Sequence, residues 1–291
     1  MAGESRRRSD PPLDGRRSRI LGGLRSGAAG RGALIATFST LVFFTLLLLL
    51  ITHAPGWPEV RRTFLDWGQF KDSFPDIAKA FLLNVKIFCI AEVLILVFAL
   101  VLAIIRNLPG PAAFPLRMLG IAYADFFRGV PTILVITMLG LGAPALQLSW
   151  VPKDVVFWGI VSLVLVYTAY VSEVYRAGIE SVHPSQEAAA RSLGLTRSQA
   201  LRFVVLPQAV RRVIPPLLND FIGLQKDSAL IALIGPVEAF RQSQIDEAAT
   251  FNFTPYLCAA LLFILLTIPL ARFTDWLIAR DRRRQLAGAR A

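Results

Sequence analysis

Long stretches without a charged residue set the first limit on this chain. No Asp, Glu, Lys or Arg occurs from Gly32 to Pro58, and none from Val155 to Ser172. A helix needs about 20 apolar residues to cross the roughly 30 Å hydrocarbon core of a bilayer. Inside that core every backbone N–H and C=O must find a partner within its own segment or a closed barrel. Continuous apolar runs of this length, without strand-like alternation, predict an all-α integral membrane protein. The whole 291-residue chain agrees: 55% of it is hydrophobic and only 18% charged, against about 25% charged in ordinary soluble domains.

Six such spans can be placed. The first has its apolar heart over 33–53, and later ones lie near 77–105, 118–145, 155–175, 207–235 and 254–278. Around them the chain divides into a basic tail over 1–32, expected to be disordered, and a connector over 54–76 with Trp57 and Trp67 suited to an interface. A core follows over 77–278, with a polar loop at about 180–206, and a basic tail closes the chain over 279–291.

The formal net charge is +11. Such a balance can signal nucleic acid, but the basic residues flank apolar spans and form no nucleic-acid-binding pattern. No nucleic-acid partner is expected; lipid is. Arg6, Arg7, Arg8, Arg16, Arg17 and Arg19 precede the first span, and Arg280, Arg282, Arg283 and Arg284 follow the last. Arg106 and the stretch Arg176 to Arg212 fall on the same side of a six-span chain. Cytoplasmic segments collect Lys and Arg, so both termini are expected in the cytoplasm of a bacterial plasma membrane. The first span is too long for a secretory signal and lacks a small-residue cleavage site, so it reads as retained.

Chemistry on the chain is not expected. Cys89 and Cys258 lie in apolar runs, and His53 and His183 are far apart, so no metal spacing occurs. No catalytic Ser/His/Asp or Cys/His pairing is visible. There is no Gly-x4-Gly-Lys-Ser/Thr phosphate loop, so no cofactor and no ATP site are expected here.

The informative stretch is Glu173 to Pro216. Ser185 can cap a short helix over Gln186 to Leu193. Gly194 suits the left-handed residue that ends it. Thr196 and Gln199 have capping-box spacing for a second helix, and Pro207 fits the first turn of a third. Ala188, Ala189 and Ala190 leave a small-residue face that another protein could approach.

The spacing Gly194-x9-Val204-x-Leu206-Pro207, followed by Gln208-Ala209, resembles the cytoplasmic "EAA" loop of ABC importer permeases. Counting back from Gly194, the motif's Glu position holds Ala188, and Glu187 lies one residue early. That shift turns the carboxylate by about 100° around the helix. Phe127-Arg128-Gly129-Val130-Pro131 is similar to the FRGTP element of the polar amino-acid subfamily. Tyr170, Glu173, Arg176 and Gly178 are similar to its Y-x-x-E-x-x-R-x-G element. Lys226-Asp227-Ser228-Ala229-Leu230 is similar to its K-D-T-S-L element, with Ala229 departing.

The resemblance covers about 77–278 and implies a five-helix permease core, to which the first span is an extra helix. It implies a coupling loop carrying Gln186, Glu187, Ala188, Ala189, Gly194, Leu206 and Pro207. That loop would dock on an ABC ATPase homodimer that binds the ATP. A second permease subunit, the same chain or a related one, would complete the pathway. An extracytoplasmic solute-binding protein would deliver a polar amino acid, moved by alternating access.

Ionisable groups within spans are costly and tend to mark function. Glu92, Arg128, Glu173, Lys226 and Asp227, with the helix-breaking Pro131, are therefore candidates for the translocation pathway. Glu173 and Arg176 stand three apart and can pair on one helix face. Other readings are a permease for another small polar solute, a secondary transporter, or a membrane scaffold. Neither of the last two needs an ATPase dock.

Overall fold

The computed structural model describes residues 15–288, with side chains over 34–280. It divides into a unit ending at Arg61 and a larger one from Arg62 onward. The first holds α1 (Gly15–Thr52) and the start of α2 (Trp57–Phe64). Residues 15–32, expected as a disordered tail, are thus helical. A span already helical extends by one hydrogen bond per residue, although the six glycines in this stretch disfavour helix. Residues 1–14 lie outside the described residues.

The larger unit begins with α3 (Trp67–Arg106), 40 residues long. At 1.5 Å per residue it rises about 60 Å, roughly twice the hydrocarbon thickness. The sequence reading placed its start near 77 and gave the preceding residues to a connector. Asp66 explains the difference: its side chain accepts from Gly68 N–H at 2.8 Å and Gln69 N–H at 3.2 Å. That cap starts the helix ten residues earlier, and Pro75 is carried inside it.

Next come α4 (Phe114–Gly129) and α5 (Thr132–Ala145). The sequence reading treated 118–145 as one kinked span. The two helices instead meet at 100°. Pro131 has no N–H to continue a ladder, and the residue before a proline is pushed out of helical geometry; Val130 is extended, with φ −98° and ψ 130°.

α6 (Val155–Glu180) is the central helix, packed by α3, α4, α5 and α9. After the loop helices α7 (Pro184–Ser192) and α8 (Arg197–Ala200), a π-helical turn over Leu201–Val205 leads directly into α9 (Leu206–Asp227). A 3-10 turn over Ser228–Ile234 ends at Gly235, which has φ +116°. α10 (Ala239–Thr250) and α11 (Thr254–Gly288) complete the described chain. The tail expected from 279 is therefore helical as far as 288.

Among the described residues, four helices are long and apolar enough to cross a membrane, or five if the bent α4–α5 pair is one span. The expected span over 207–235 is not among them. Its helix, 22 residues long, has the length but carries Arg211, Arg212, Asp220, Lys226 and Asp227.

Two apolar clusters hold the unit together. The main one joins Ile87, Ala91 and Ile95 of α3, Ile136 of α5, Leu163 and Val166 of α6, Leu224 of α9 and Ile231. Burying each such side chain contributes about 1.5–3 kcal/mol in water; between helices in lipid, close packing replaces that drive. A smaller cluster joins Ile77 and Phe81 of α3 to Ala239, Cys258 and Ala259. A buried polar knot lies beside it. Asn84 donates to Glu238 at 2.8 Å and Ser228 at 3.2 Å, and accepts from Ala239 N–H at 3.1 Å. Glu238 also caps α10 through the N–H groups of Phe240 and Arg241.

Candidate functional site

A polar cavity of about 350 Å³ opens between α4, α6 and α9. Arg128, Tyr170, Glu173, Arg212 and Asp220 line it, with Gly178 and Pro216 at its wall. The two helices can meet closely there because Gly178 has no side chain. A Cβ at that position would overlap Val213 of α9.

The cavity's charges are not equivalent. Glu173 Oε2 accepts from Arg106 Nη1 at 2.8 Å, and Oε1 accepts from Arg176. Arg176 also reaches Glu180 at 2.6 Å. This chain of four charges ties the end of α3 to the last turns of α6. Arg212 donates to the Ser181 carbonyl and ties α9 to the same place. Asp220 presents an Oδ2 that is buried without a hydrogen bond among the described residues. Glu92 is half-buried on α3. Arg128 is exposed, and its carbonyl accepts from Tyr170 Oη at 3.3 Å.

Of the sequence-derived pathway candidates, Arg128 and Glu173 thus line one cavity, and Glu92 does not line it. Pro131 stands at the α4–α5 break. Lys226 is exposed, and Asp227 accepts from Tyr167 Oη at 3.0 Å; neither lines the cavity. Sequence reasoning took Arg106 for the end of a span and passed over Asn84 and Glu238. The signal for Arg106 was faint: a lone cation at a helix end, 67 residues from its partner.

The polar loop has its own geometry. α7 begins at Pro184, so His183 is the cap rather than Ser185. Proline is pre-shaped for the first helical position, and His183 Nδ1 accepts from Ser185 N–H at 3.2 Å. Gly194 takes φ +90°. Leu195 N–H then reaches the Ala190 carbonyl at 3.3 Å, and Gly194 N–H reaches that of Arg191 at 3.0 Å. This closes the helix as a left-handed glycine cap should. The Thr196–Gln199 capping box forms reciprocally. Ala190 is buried, and Val182, Val205 and Ala209 form a small apolar cluster of their own. Gln186 meets Gln208 at 3.4 Å. Ala188 and Ala189 face outward. Glu187, rotated away from that face, lies 3.7 Å from Arg197 Nε. Leu206 is exposed, and Pro207 sits in the first turn of α9.

Residues 112–283 match the family of binding-protein-dependent transport system inner membrane components. A probable glutamine ABC transporter permease protein of Bacillus subtilis (strain 168) is 37% identical over 167 residues, 57% of this chain and 76% of that protein. A probable amino-acid permease protein of the same organism is 33% identical over 205 residues, 70% and 90% of the two chains. Among solved structures, an amino acid ABC transporter with histidines superposes with a TM-score of 0.67 at 27% identity, over 74% of this chain and 98% of that one. An inward-facing methionine ABC transporter shares the fold alone, with a TM-score of 0.51 at 18% identity over 70% of this chain and 93% of that one.

Proposed function

The chain belongs to the binding-protein-dependent transport system inner membrane components, the multi-pass permease part of an importer, and from that premise we propose that it translocates a polar amino acid. The observation that carries the cargo class is the cavity of about 350 Å³ with Arg128 and Asp220 on its lining. Small-molecule sites run from roughly 300 to 1,000 Å³ and fix orientation with a few placed polar groups. Glu173 is already satisfied by Arg106 and Arg176, and Arg212 is held by the Ser181 carbonyl. Arg128 is then the cation offered to an α-carboxylate, and Asp220 the anion offered to an ammonium. The relatives' own cargoes, glutamine and amino acids by name, favour the same class.

The energy comes from outside the chain. ATP is bound and hydrolysed by a separate ATPase homodimer docked on the α7 loop, and this chain needs no cofactor. An extracytoplasmic solute-binding protein delivers the cargo. A second permease subunit, identical or related, completes the pathway. In this reading α9 is a sixth crossing, with Arg212 and Asp220 turned to the cavity, as intramembrane charges tend to be. α1 is a crossing added before the core, and both termini are cytoplasmic.

The test is uptake of a panel of labelled polar amino acids by the reconstituted transporter. Arg128→Gln and Asp220→Asn are expected to raise the KM for the preferred cargo about tenfold or more, the loss of one charge-assisted hydrogen bond. Unchanged KM values in both variants would remove the cavity from the pathway.

A further inference from the structure

The central helix α6 carries two unlike surfaces. Tyr170, Glu173 and Ala177 line the polar cavity. Phe157, Val161, Val164 and Thr168 instead line a second hollow of about 560 Å³, which α6 shares with the stretch of α3 from Ile90 to Ile105. At about 100° per residue, these four residues fall on one stripe of α6, and the three cavity residues lie about half a turn round from it. The hollow is a groove: Leu94, Phe98 and Phe157 on its sides are exposed, and Val164 and Thr168 at its base are buried. It follows α3 for about 22 Å, roughly three-quarters of the hydrocarbon thickness. Among its described lining residues only Thr168 and Tyr123 of α4 carry a polar group, and Tyr123 Oη donates to the Leu165 carbonyl at 2.8 Å.

One end of the groove meets charge. Ile105 is followed by Arg106, and α4 comes close to the Arg106 stem at Gly120, where a Cβ would stand 3.0 Å from Arg106 Cγ. Three residues before Gly120 on α4 is Arg117, half-buried, with Nη1 on the Leu108 carbonyl at 2.6 Å. We propose that the groove is a site for a resident membrane phospholipid, with one acyl chain along α3 and α6 and the phosphate at the Arg117 guanidinium. A hydrocarbon chain suits a long, narrow, apolar slot, whose lining forfeits its contacts if left unfilled. Basic pockets between membrane helices bind lipid headgroups, and a guanidinium fork matches phosphate. The choice of lipid over a second copy of the chain rests on the reading that a second permease subunit completes the polar cavity. That subunit then stands on the cavity side of α6, and the groove, on the opposite side, faces the bilayer.

The experiment is native mass spectrometry of the full chain, purified in mild detergent, counting phospholipid retained per chain after detergent exchange. The wild type is expected to retain phospholipid. Val101→Trp and Val161→Trp, which place an indole in the groove, should release it. Val93→Trp, at an exposed α3 position outside the groove, should keep it. Arg117→Gln should weaken retention about tenfold, the loss of one charge-assisted hydrogen bond. No retained phospholipid in the wild type, or wild-type retention in both groove-filling variants, would overturn the proposal. A phospholipid with a photoreactive acyl chain should label the groove residues of α3 and α6 in preference to the Val93 face of α3, and even labelling of both faces would overturn it. Cross-linking of Val161→Cys to a second copy, in a Cys89→Ser background, would give the groove to that copy and also overturn it. None of these readouts involves transport. A failure of the cavity assignment, seen as unchanged KM in Arg128→Gln and Asp220→Asn, is therefore distinct from a failure of the lipid site.

Discussion

Arg106 at the end of α3 donates to Glu173 of α6 across 2.8 Å, although 67 residues separate them in sequence. Glu173 holds Arg176 with its other oxygen, and Arg176 holds Glu180. One carboxylate thereby fixes two helices at the wall of the polar cavity, seven residues before α6 ends at Glu180.

Arg106→Ala should therefore destabilise the protein. The Arg106 side chain is only 9% exposed, and hydrogen bonds to charged groups contribute about 1.5–3 kcal/mol each. Because Arg176 remains, the expected loss is about 2 kcal/mol, near the middle of that range. A fall in the thermal midpoint of the detergent-solubilised chain checks it. Glu173→Gln should lower both stability and uptake, since Arg106 loses its anion and Arg176 is left with Glu180 alone. An unchanged midpoint together with unchanged uptake would contradict this role.

Gly178→Ala should be costly, and Val213→Ala should relieve it. The added methyl would overlap Val213, and overpacking of this kind costs about 1–3 kcal/mol. A thermal-stability double-mutant cycle reads the coupling directly, with an interaction energy above about 0.5 kcal/mol expected. Additive effects would mean that α6 and α9 do not meet at this pair.

Gly194→Arg should abolish uptake while leaving insertion intact. The left-handed backbone costs a non-glycine residue about 1–2 kcal/mol, and the bulk falls beside the exposed corner at Leu193. Membrane levels at the wild-type value with uptake at background are the expected result. Normal uptake would dissolve the link between this loop and transport.

Glu238 gives the protein a pH dependence. Burial pushes its carboxyl above the usual value of 4.5, against the hydrogen bonds from Phe240 N–H, Asn84 and Arg241 N–H that favour the ionised form. A raised native value means that, as pH climbs from about 4.5, the unfolded state releases its proton first. Stability from this group is then full below the unfolded value and declines as pH rises through the native one. The thermal midpoint should fall over that window in the wild type, and Glu238→Gln should flatten the fall. Identical profiles would assign the dependence elsewhere.

Membrane residence and helical class were legible because uncharged runs of this length leave few alternatives. The α7 loop was legible down to its glycine cap and capping box, since those signals are local. Two local caps were still passed over. Asp66 started α3 ten residues early, and Pro184 moved the cap of α7 from Ser185 to His183. Pro131 broke a helix through 100°, a size of bend that a proline alone does not specify. In the cavity, Arg128 and Glu173 could be nominated as costly charges. Their sorting into satisfied and open groups needed Arg106 and Asp220 placed around them, and no spacing rule joins residues that far apart. Lys226 and Asp227 were nominated on the same grounds and lie elsewhere.

The most direct test of the account is the energy source for uptake. Proteoliposomes carrying the permease and its ATPase, with the solute-binding protein and labelled polar amino acid outside, would be assayed with and without enclosed ATP. Accumulation that requires enclosed ATP and a hydrolysis-competent ATPase is the predicted result. Accumulation by the permease alone, driven by an imposed proton or sodium gradient and indifferent to ATP, would contradict it.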